Sequence, residues 1–213
     1  MTVIAIDGPA GSGKSTIAKA LAARLDSEVL DTGAMYRAVT YAVLCAGVDV
    51  TDADHATAIA STADVTLRGN DVTVNGLDAT VAIRGPEVSA AVSVVAAYPR
   101  VRAHLRDLQR AWMADHGGGV VEGRDIGTVV FPDAELKVYL VADHAVRARR
   151  RAGDGHLDER SAAANIEERD RLDSTRSDSP MVAAADAVVV DTSDLTVDEV
   201  VDAIVRHLSE VVR

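Results

Sequence analysis

An α/β fold, with a parallel central sheet between two layers of helices, is the architecture the sequence predicts, and three observations carry it. Short apolar, β-prone runs recur at residues 3–6, 28–30, 120–122, 136–141 and 187–190. Each is separated from the next by at least one stretch with helical spacing of its apolar residues, the order that leaves a parallel sheet covered on both faces. Between the first run and the first helical pattern stands Gly8-Pro9-Ala10-Gly11-Ser12-Gly13-Lys14-Ser15-Thr16, a glycine loop joining strand to helix.

Taken in order, the first helix covers residues 14–25, with Ile17, Leu21 and Leu25 on one face. The second strand ends in Asp31-Thr32-Gly33, so Thr32 is placed to cap the helix expected over residues 34–46. A long excursion follows before the third strand. It holds a second helical stretch at residues 87–98 and, between the two, an alternating segment, Val65, Leu67, Val72 and Val74 around Gly69-Asn70-Asp71, which reads as a β-hairpin. An insertion of this size carries specificity in many α/β enzymes. The irregular stretch Ala152-Gly153-Asp154-Gly155 reads as a mobile loop. The last helix, residues 197–212, places Val197, Val200, Val201, Ile204, Val205 and Leu208 on one stripe for packing against the sheet.

Bulk properties exclude several functions. A net charge of -11 with 3% aromatic residues leaves neither the electrostatic footprint nor the stacking groups of a nucleic-acid binder. No signal-peptide pattern and no apolar run of membrane-spanning length occur, so a cytoplasmic protein without a membrane partner is expected. The single Cys45 rules out an internal disulfide and reads as a small core residue in a reducing compartment. The six histidines show no ligand spacing and are assigned no chemistry.

Gly8-x4-Gly13-Lys14-Ser15 is a complete P-loop pattern, flanked by the strand and the helix it requires. Its glycines allow backbone N–H groups to turn toward a β-phosphate, the helix N-terminus adds partial positive charge, Lys14 bridges β- and γ-phosphates, and Ser15 offers a hydroxyl to Mg²⁺. The loop therefore holds a nucleoside triphosphate. Open α/β sheets bind ligands beyond the carboxyl ends of their strands, which directs Arg37, one turn inside the second helix, toward the same crevice. The third strand delivers Glu122, Arg124 and Asp125 to that edge; a carboxylate there can orient waters around Mg²⁺, and a guanidinium can grip a phosphate. A structural ion pair at the strand end is the alternative. Arg147, Arg149, Arg150 and Arg151 form a basic run; Arg147, Arg150 and Arg151 share a helical face that suits a lid over transferring phosphates, although such runs are also solvated faces. Arg169, Asp173 and Arg176 line one side of a helix, with Arg171 turned to the surface.

With these residues in view, the chain resembles the bacterial cytidylate kinases over almost its whole length. The resemblance rests on residues 8–16, on Asp31-Thr-Gly-Ala-Met-Tyr-Arg37, Ile83-Arg84, Ala97-Tyr-Pro-Arg-Val-Arg102, on the diagnostic Gly123-Arg-Asp-Ile-Gly-Thr128 and on residues 169–176. It implies a P-loop fold in three parts: a core of residues 1–31, 106–144 and 164–213, a monophosphate-binding region of residues 32–105 enlarged by the hairpin, and an arginine lid of residues 145–163. It implies that Arg37 and Arg124 hold the CMP phosphate, with Thr32 beside them. Ser93, Arg102, Asp125 and Arg176 match positions that read cytosine, and Arg169 and Asp173 match positions that engage the sugar and organise the lid. Lys14, Arg124, Asp125 and Arg169 are then the catalytic set. Glu122 stands where the family commonly has aspartate and Thr32 where it often has serine, and the lid is shorter than in some members. The substrates implied are ATP and CMP or dCMP, with a monomer sufficient to complete the site. A P-loop kinase for another acceptor is the nearest alternative. A nucleotide switch is the more distant one, and the guanine-reading Asn-Lys-x-Asp stretch of a GTPase is missing from the sequence.

Overall fold

The computed structural model describes residues 2–153 and 158–211. Strand β1 (Thr2–Asp7) runs through the glycine loop into α1 (Lys14–Leu25), and β2 (Val29–Asp31) runs into α2 (Thr32–Cys45). Next come α3 (Ala53–Thr62), β3 (Val65–Arg68), β4 (Asp71–Val74), β5 (Leu77–Asp78), a 3₁₀ turn at Ala82–Arg84, α4 (Pro86–Val95) and α5 (Pro99–Asp115). The rest is β6 (Gly118–Glu122), a π turn at Ile126–Val130, β7 (Leu136–Val141), α6 (His144–Gly153), α7 (Glu159–Thr175), β8 (Val188–Asp191) and α8 (Val197–Val211). Two compact units result, Met1–Asp31 with Arg110–Arg213, and Thr32–Gln109. Among the described residues no helix is long and apolar enough to cross a membrane.

The larger unit is built on a five-stranded, all-parallel sheet of order β2-β6-β1-β7-β8. Ile4 and Ile6 of β1, Val120 of β6 and Val138 and Leu140 of β7 are buried against Ile17 and Leu21 of α1 and Val200, Val201 and Ile204 of α8. Each such side chain contributes about 1.5–3 kcal/mol by leaving water. That outweighs the roughly 1 kcal/mol a capping side chain would add, and α1 is capped at its start by Gly13 with no side-chain cap. On α8 the expected stripe holds except at Val197, which is exposed in the first turn; Val212 lies outside the described residues.

The smaller unit packs α2 against a three-stranded antiparallel sheet, β3-β4-β5. Ala34, Ala38 and Ala42 recur one turn apart on α2, and their small side chains admit Val72, Val74, Ala79 and Ile83 into a shared core. The hairpin forms in the expected register, Val65 opposite Val74 and Leu67 opposite Val72. Asp71 pairs with Arg68, which shortens the turn to Gly69-Asn70, with Gly69 at φ +60°.

Several expectations need correction. Helix α2 begins at Thr32, which is therefore its first residue and not its cap. Cys45 is exposed, because it ends α2 on the side away from the buried Ala42 and Val43. The helix expected over residues 87–98 stops at Val95, and Tyr98 precedes Pro99 at the start of α5; the residue before a proline is disfavoured in helical conformation. Ala152 and Gly153 belong to α6, while Asp154 and Gly155 lie outside the described residues.

The π turn is anchored from β1. Asp7, buried at the strand end, accepts the Ile126 N–H on Oδ1 and the Gly127 N–H on Oδ2, both at 2.8 Å. Burial raises its pKa to about 6 from the ordinary aspartate value; the charge of Asp125 adds to the rise, and the two N–H bonds and Lys14 oppose it. Between about pH 4 and 6 the folded chain thus keeps a proton that the unfolded chain has lost, so ionised Asp7 lowers stability increasingly as pH rises through that window. Asp7→Asn cannot ionise. Measured by denaturant unfolding, wild-type stability relative to this variant should fall by about 3 kcal/mol from pH 4 to pH 7. A pH-independent difference would show that Asp7 titrates as an ordinary carboxylate.

Candidate active site

In the larger unit the site is built where β1 and β6 end. Gly8 takes φ +148°, and a Cβ there would collide with the Leu140 carbonyl of β7; no side chain fits where the loop crosses that strand. Ser12 and Lys14 are buried, while Ser15 and Thr16 are exposed in the first turn of α1. The Lys14 ammonium donates to the Pro9 carbonyl at 2.7 Å and to Ser12 Oγ at 3.4 Å. Burial pushes its pKa well below the usual lysine value; the nearby charges of Arg124 and Arg169 push the same way, and Glu122 and Asp170 push back. The structure thus brings Lys14, Glu122, Arg124 and Arg169 within electrostatic reach of one another.

Glu122 is buried at the end of β6, in register with Asp31 on β2. Beyond it, Arg124 Nε donates to Asp173 Oδ2 at 3.1 Å, and Arg176 Nη1 donates to Asp173 Oδ1 at 3.3 Å. Asp173 is 5% exposed, so each of its oxygens serves one guanidinium away from bulk water. Arg176 also donates to the Ser179 carbonyl at 2.9 Å. It follows the last residue of α7 as its C-cap, so the expected single helical row of Arg169, Asp173 and Arg176 breaks at its end. Arg171 is exposed and pairs with Glu168, as expected of a surface residue. Asp125 is buried immediately before the π turn.

Helices α6 and α7 rest on the glycine loop. Ala148 and Ile166 bury Ala10 in a small apolar cluster. Arg147 donates to the Ala10 carbonyl at 3.0 Å, to the Ala142 carbonyl at 3.2 Å and to Asp170; Asp170 in turn accepts the Ala10 N–H at 2.9 Å. Arg150 donates to Oγ1 and the carbonyl of Thr192, and the Thr192 hydroxyl donates to the Ser12 carbonyl at 3.1 Å. Arg151 occupies the last turn of α6. Sequence reasoning missed Asp7, Asp170 and Thr192. Asp7 and Thr192 stand at or just past the carboxyl ends of β1 and β8, where ligand-binding groups of α/β sheets gather, and that signal was available.

The smaller unit carries the other predicted residues. Thr32 is buried at the start of α2, and Arg37 lies half-buried one turn on. Arg102 is 3% exposed; its guanidinium donates to the Ala96 carbonyl at 3.2 Å and lies 5.4 Å from the centre of the Tyr36 ring. This cation–π contact helps hold the guanidinium over the ring, and no residue pattern signals it. Ser93 is buried on α4.

The sequence profile of the cytidylate kinases matches residues 4–210. A cytidylate kinase of Mycobacterium avium (strain 104) is 50% identical over 99% of this chain and 98% of its own. One from Pelotomaculum thermopropionicum is 49% identical, covering 97% of this chain and 95% of its own. The structure of an uncharacterized protein from Eubacterium ventriosum shares the fold, with a TM-score of 0.59 at 14% identity over 98% of this chain and 99% of that one. A complete glycine loop and the Arg124–Asp173–Arg176 network, set in a chain that matches this profile over nearly its whole length, lead to one conclusion: the chain belongs to the cytidylate kinase family.

Proposed function

We propose that the chain transfers the γ-phosphoryl group of ATP to CMP or dCMP, giving ADP and CDP or dCDP. The observation that carries this reading is the surroundings of Lys14: a glycine-loop ammonium with Arg124 and Arg169 as neighbours, cations of the kind that stabilise charge on a transferring phosphoryl group. Residues 8–16 hold the ATP phosphates through loop N–H groups, with Lys14 across the β- and γ-phosphates. Arg37 and Arg124 take the acceptor phosphate, with Thr32 as a further donor. Ser93, Arg102, Asp125 and Arg176 read the base, and Arg169 and Asp173 serve the sugar and closure. An arginine and a carboxylate suit the carbonyl and the exocyclic amino group of cytosine; uracil would present a second carbonyl to the carboxylate.

An oxygen of the acceptor phosphate attacks the γ-phosphorus, the bond to the β,γ-bridging oxygen breaks, and ADP leaves. No side chain becomes covalently attached, so catalysis consists of positioning and charge stabilisation by Lys14, Arg124, Asp125 and Arg169. The low pKa of Lys14 belongs to the chain alone; triphosphate oxygens beside it would favour the ammonium and hold it protonated. The Ser15 hydroxyl and the Glu122 carboxylate are oxygen donors of the kind hard divalent cations take, so they fit Mg²⁺, which Ser15 would hold directly and Glu122 through water. That ion, when bound, would neutralise charge on the transferring phosphates. We assign residues 32–105 to monophosphate binding, residues 145–163, with Arg147, Arg150 and Arg151, to the lid, and the remaining residues to the core. We further propose a cytoplasmic monomer, since one chain supplies every group named.

The test is a coupled ADP-release assay with ATP and Mg²⁺, offering CMP, dCMP, UMP, AMP and GMP separately. Preference for CMP and dCMP is expected; strong turnover of another acceptor with none of CMP would overturn the assignment. Lys14→Ala should lower kcat by about 100-fold or more with an unchanged fold by circular dichroism; wild-type turnover would remove the glycine loop from the chemistry. Asp125→Asn should lower kcat/KM for CMP about 100-fold and for UMP far less, with ATP affinity retained. An unchanged CMP-to-UMP ratio would place base reading on other residues.

A further inference from the structure

We propose that Asp7 is a positioning residue for the acceptor nucleotide: its two carboxylate oxygens hold the backbone of the segment that carries Arg124 and Asp125, and so set where those side chains point. The inference rests on the reading above that Arg124 and Asp125 bind CMP. It starts from how the segment is tied. At one end the Gly123 N–H donates to the Ile6 carbonyl at 3.0 Å, one step beyond the β1–β6 ladder. At the other end Asp7 receives the Ile126 and Gly127 N–H groups, one on each oxygen. Only Arg124 and Asp125 hang between these ties.

The far side of the segment is closed as well. A Cβ at Gly127 would come within 3.1 Å of Lys137 Cγ on β7, and Lys137 is itself paired with Asp186. The π turn leans on the same junction: the Asp125 carbonyl accepts both the Val129 and Val130 N–H groups, at 2.9 and 3.2 Å. If the Asp7 clamp opened, the first turn would lose its acceptors and Asp125 would move with it.

Asp7 does not act as a catalytic residue, because both of its oxygens are taken by backbone donors. Nor is it simply a polar group filling a gap. Burial lifts its pKa to about 6, so at neutral pH its charge opposes folding, and a neutral asparagine would avoid that penalty. Asparagine, however, has one acceptor where two consecutive N–H groups need two; its amide nitrogen would meet a donor head on. A carboxylate is the side chain that answers both.

Steady-state kinetics of the full chain test this, beginning with wild type on CMP and ATP. In Asp7→Asn the CMP KM should rise about tenfold or more, the ATP KM should stay within about twofold, and the CMP-to-UMP kcat/KM ratio should fall. Asp7→Glu keeps two acceptors on a longer stem and should fall between wild type and Asp7→Asn on each measure. An unchanged CMP KM, or CMP and ATP KM rising together, overturns the proposal. If Asp7→Asn does not fold, the same split is read from Asp7→Glu against wild type. A wild-type chain inactive on CMP would count against the functional reading alone. The clamp is then read by hydrogen exchange at the Ile126 and Gly127 amides, whose protection Asp7→Glu must lower; equal protection overturns it.

Discussion

Like charges gathered at the carboxyl ends of β1 and β6 are the constraint on which the larger unit turns. Lys14 is buried beside Arg124 and Arg169, which push its ammonium toward neutrality. Such a cluster survives folding only if anions stand among the cations. Glu122, Asp170 and Asp173 supply them, from β6 and from α7. The chain is acidic overall, at -11, so the positive site is a local feature made by strand ends and one helix rather than by composition. The same anions explain why α7 lies where it does: Asp170 reaches the loop backbone at Ala10, and Asp173 reaches Arg124.

Arginines assigned to the lid also belong to this scheme. Arg147 and Arg150 are engaged by groups of the loop, of α7 and of a strand end, Ala10, Asp170 and Thr192, within the larger unit. Any movement of α6 must exchange those bonds for others of similar strength. In the smaller unit the packing problem is different. Ala34, Ala38 and Ala42 lose little side-chain entropy when buried, and they let two short strands approach α2 closely. On the helix that carries Arg37, Tyr36 and Arg37 are only half-buried.

The central sheet was legible because near-continuous apolar runs between helical patterns admit few other folds; the predicted and observed strand cores agree to within one or two residues at all five positions. The glycine loop was legible for the same reason at smaller scale, a full pattern between strand and helix. Helix α5 was not singled out, and the rest of what escaped was short or long-range. Helix α3 is alanine-rich with a weak apolar face, and its start is marked only by Asp52, which accepts the His55 N–H at 3.2 Å. Strand β5 has two residues, too few for any alternation to register. The π turn has no periodic signature of its own, and it depends on Asp7, about 120 residues earlier in the chain. Cys45 was misread because a helix end exposes one flank whatever residue stands there. Arg124, Asp173 and Arg176 were identified singly, yet their shared carboxylate becomes visible only in three dimensions.

That shared carboxylate limits how the chain can change over generations. Asp173 has one oxygen for each arginine, and all three side chains are largely shielded from water. Replacing one arginine leaves Asp173 buried with half its compensation, and replacing Asp173 takes a carboxylate from both arginines; either is more damaging than replacing the group together. Under the base-reading role proposed for Arg176, a drift toward another acceptor base would therefore have to pass through a poorly folded or inactive intermediate, or move several residues in one step. A network tied in this way resists piecemeal change, a form of evolutionary inertia built from two hydrogen bonds.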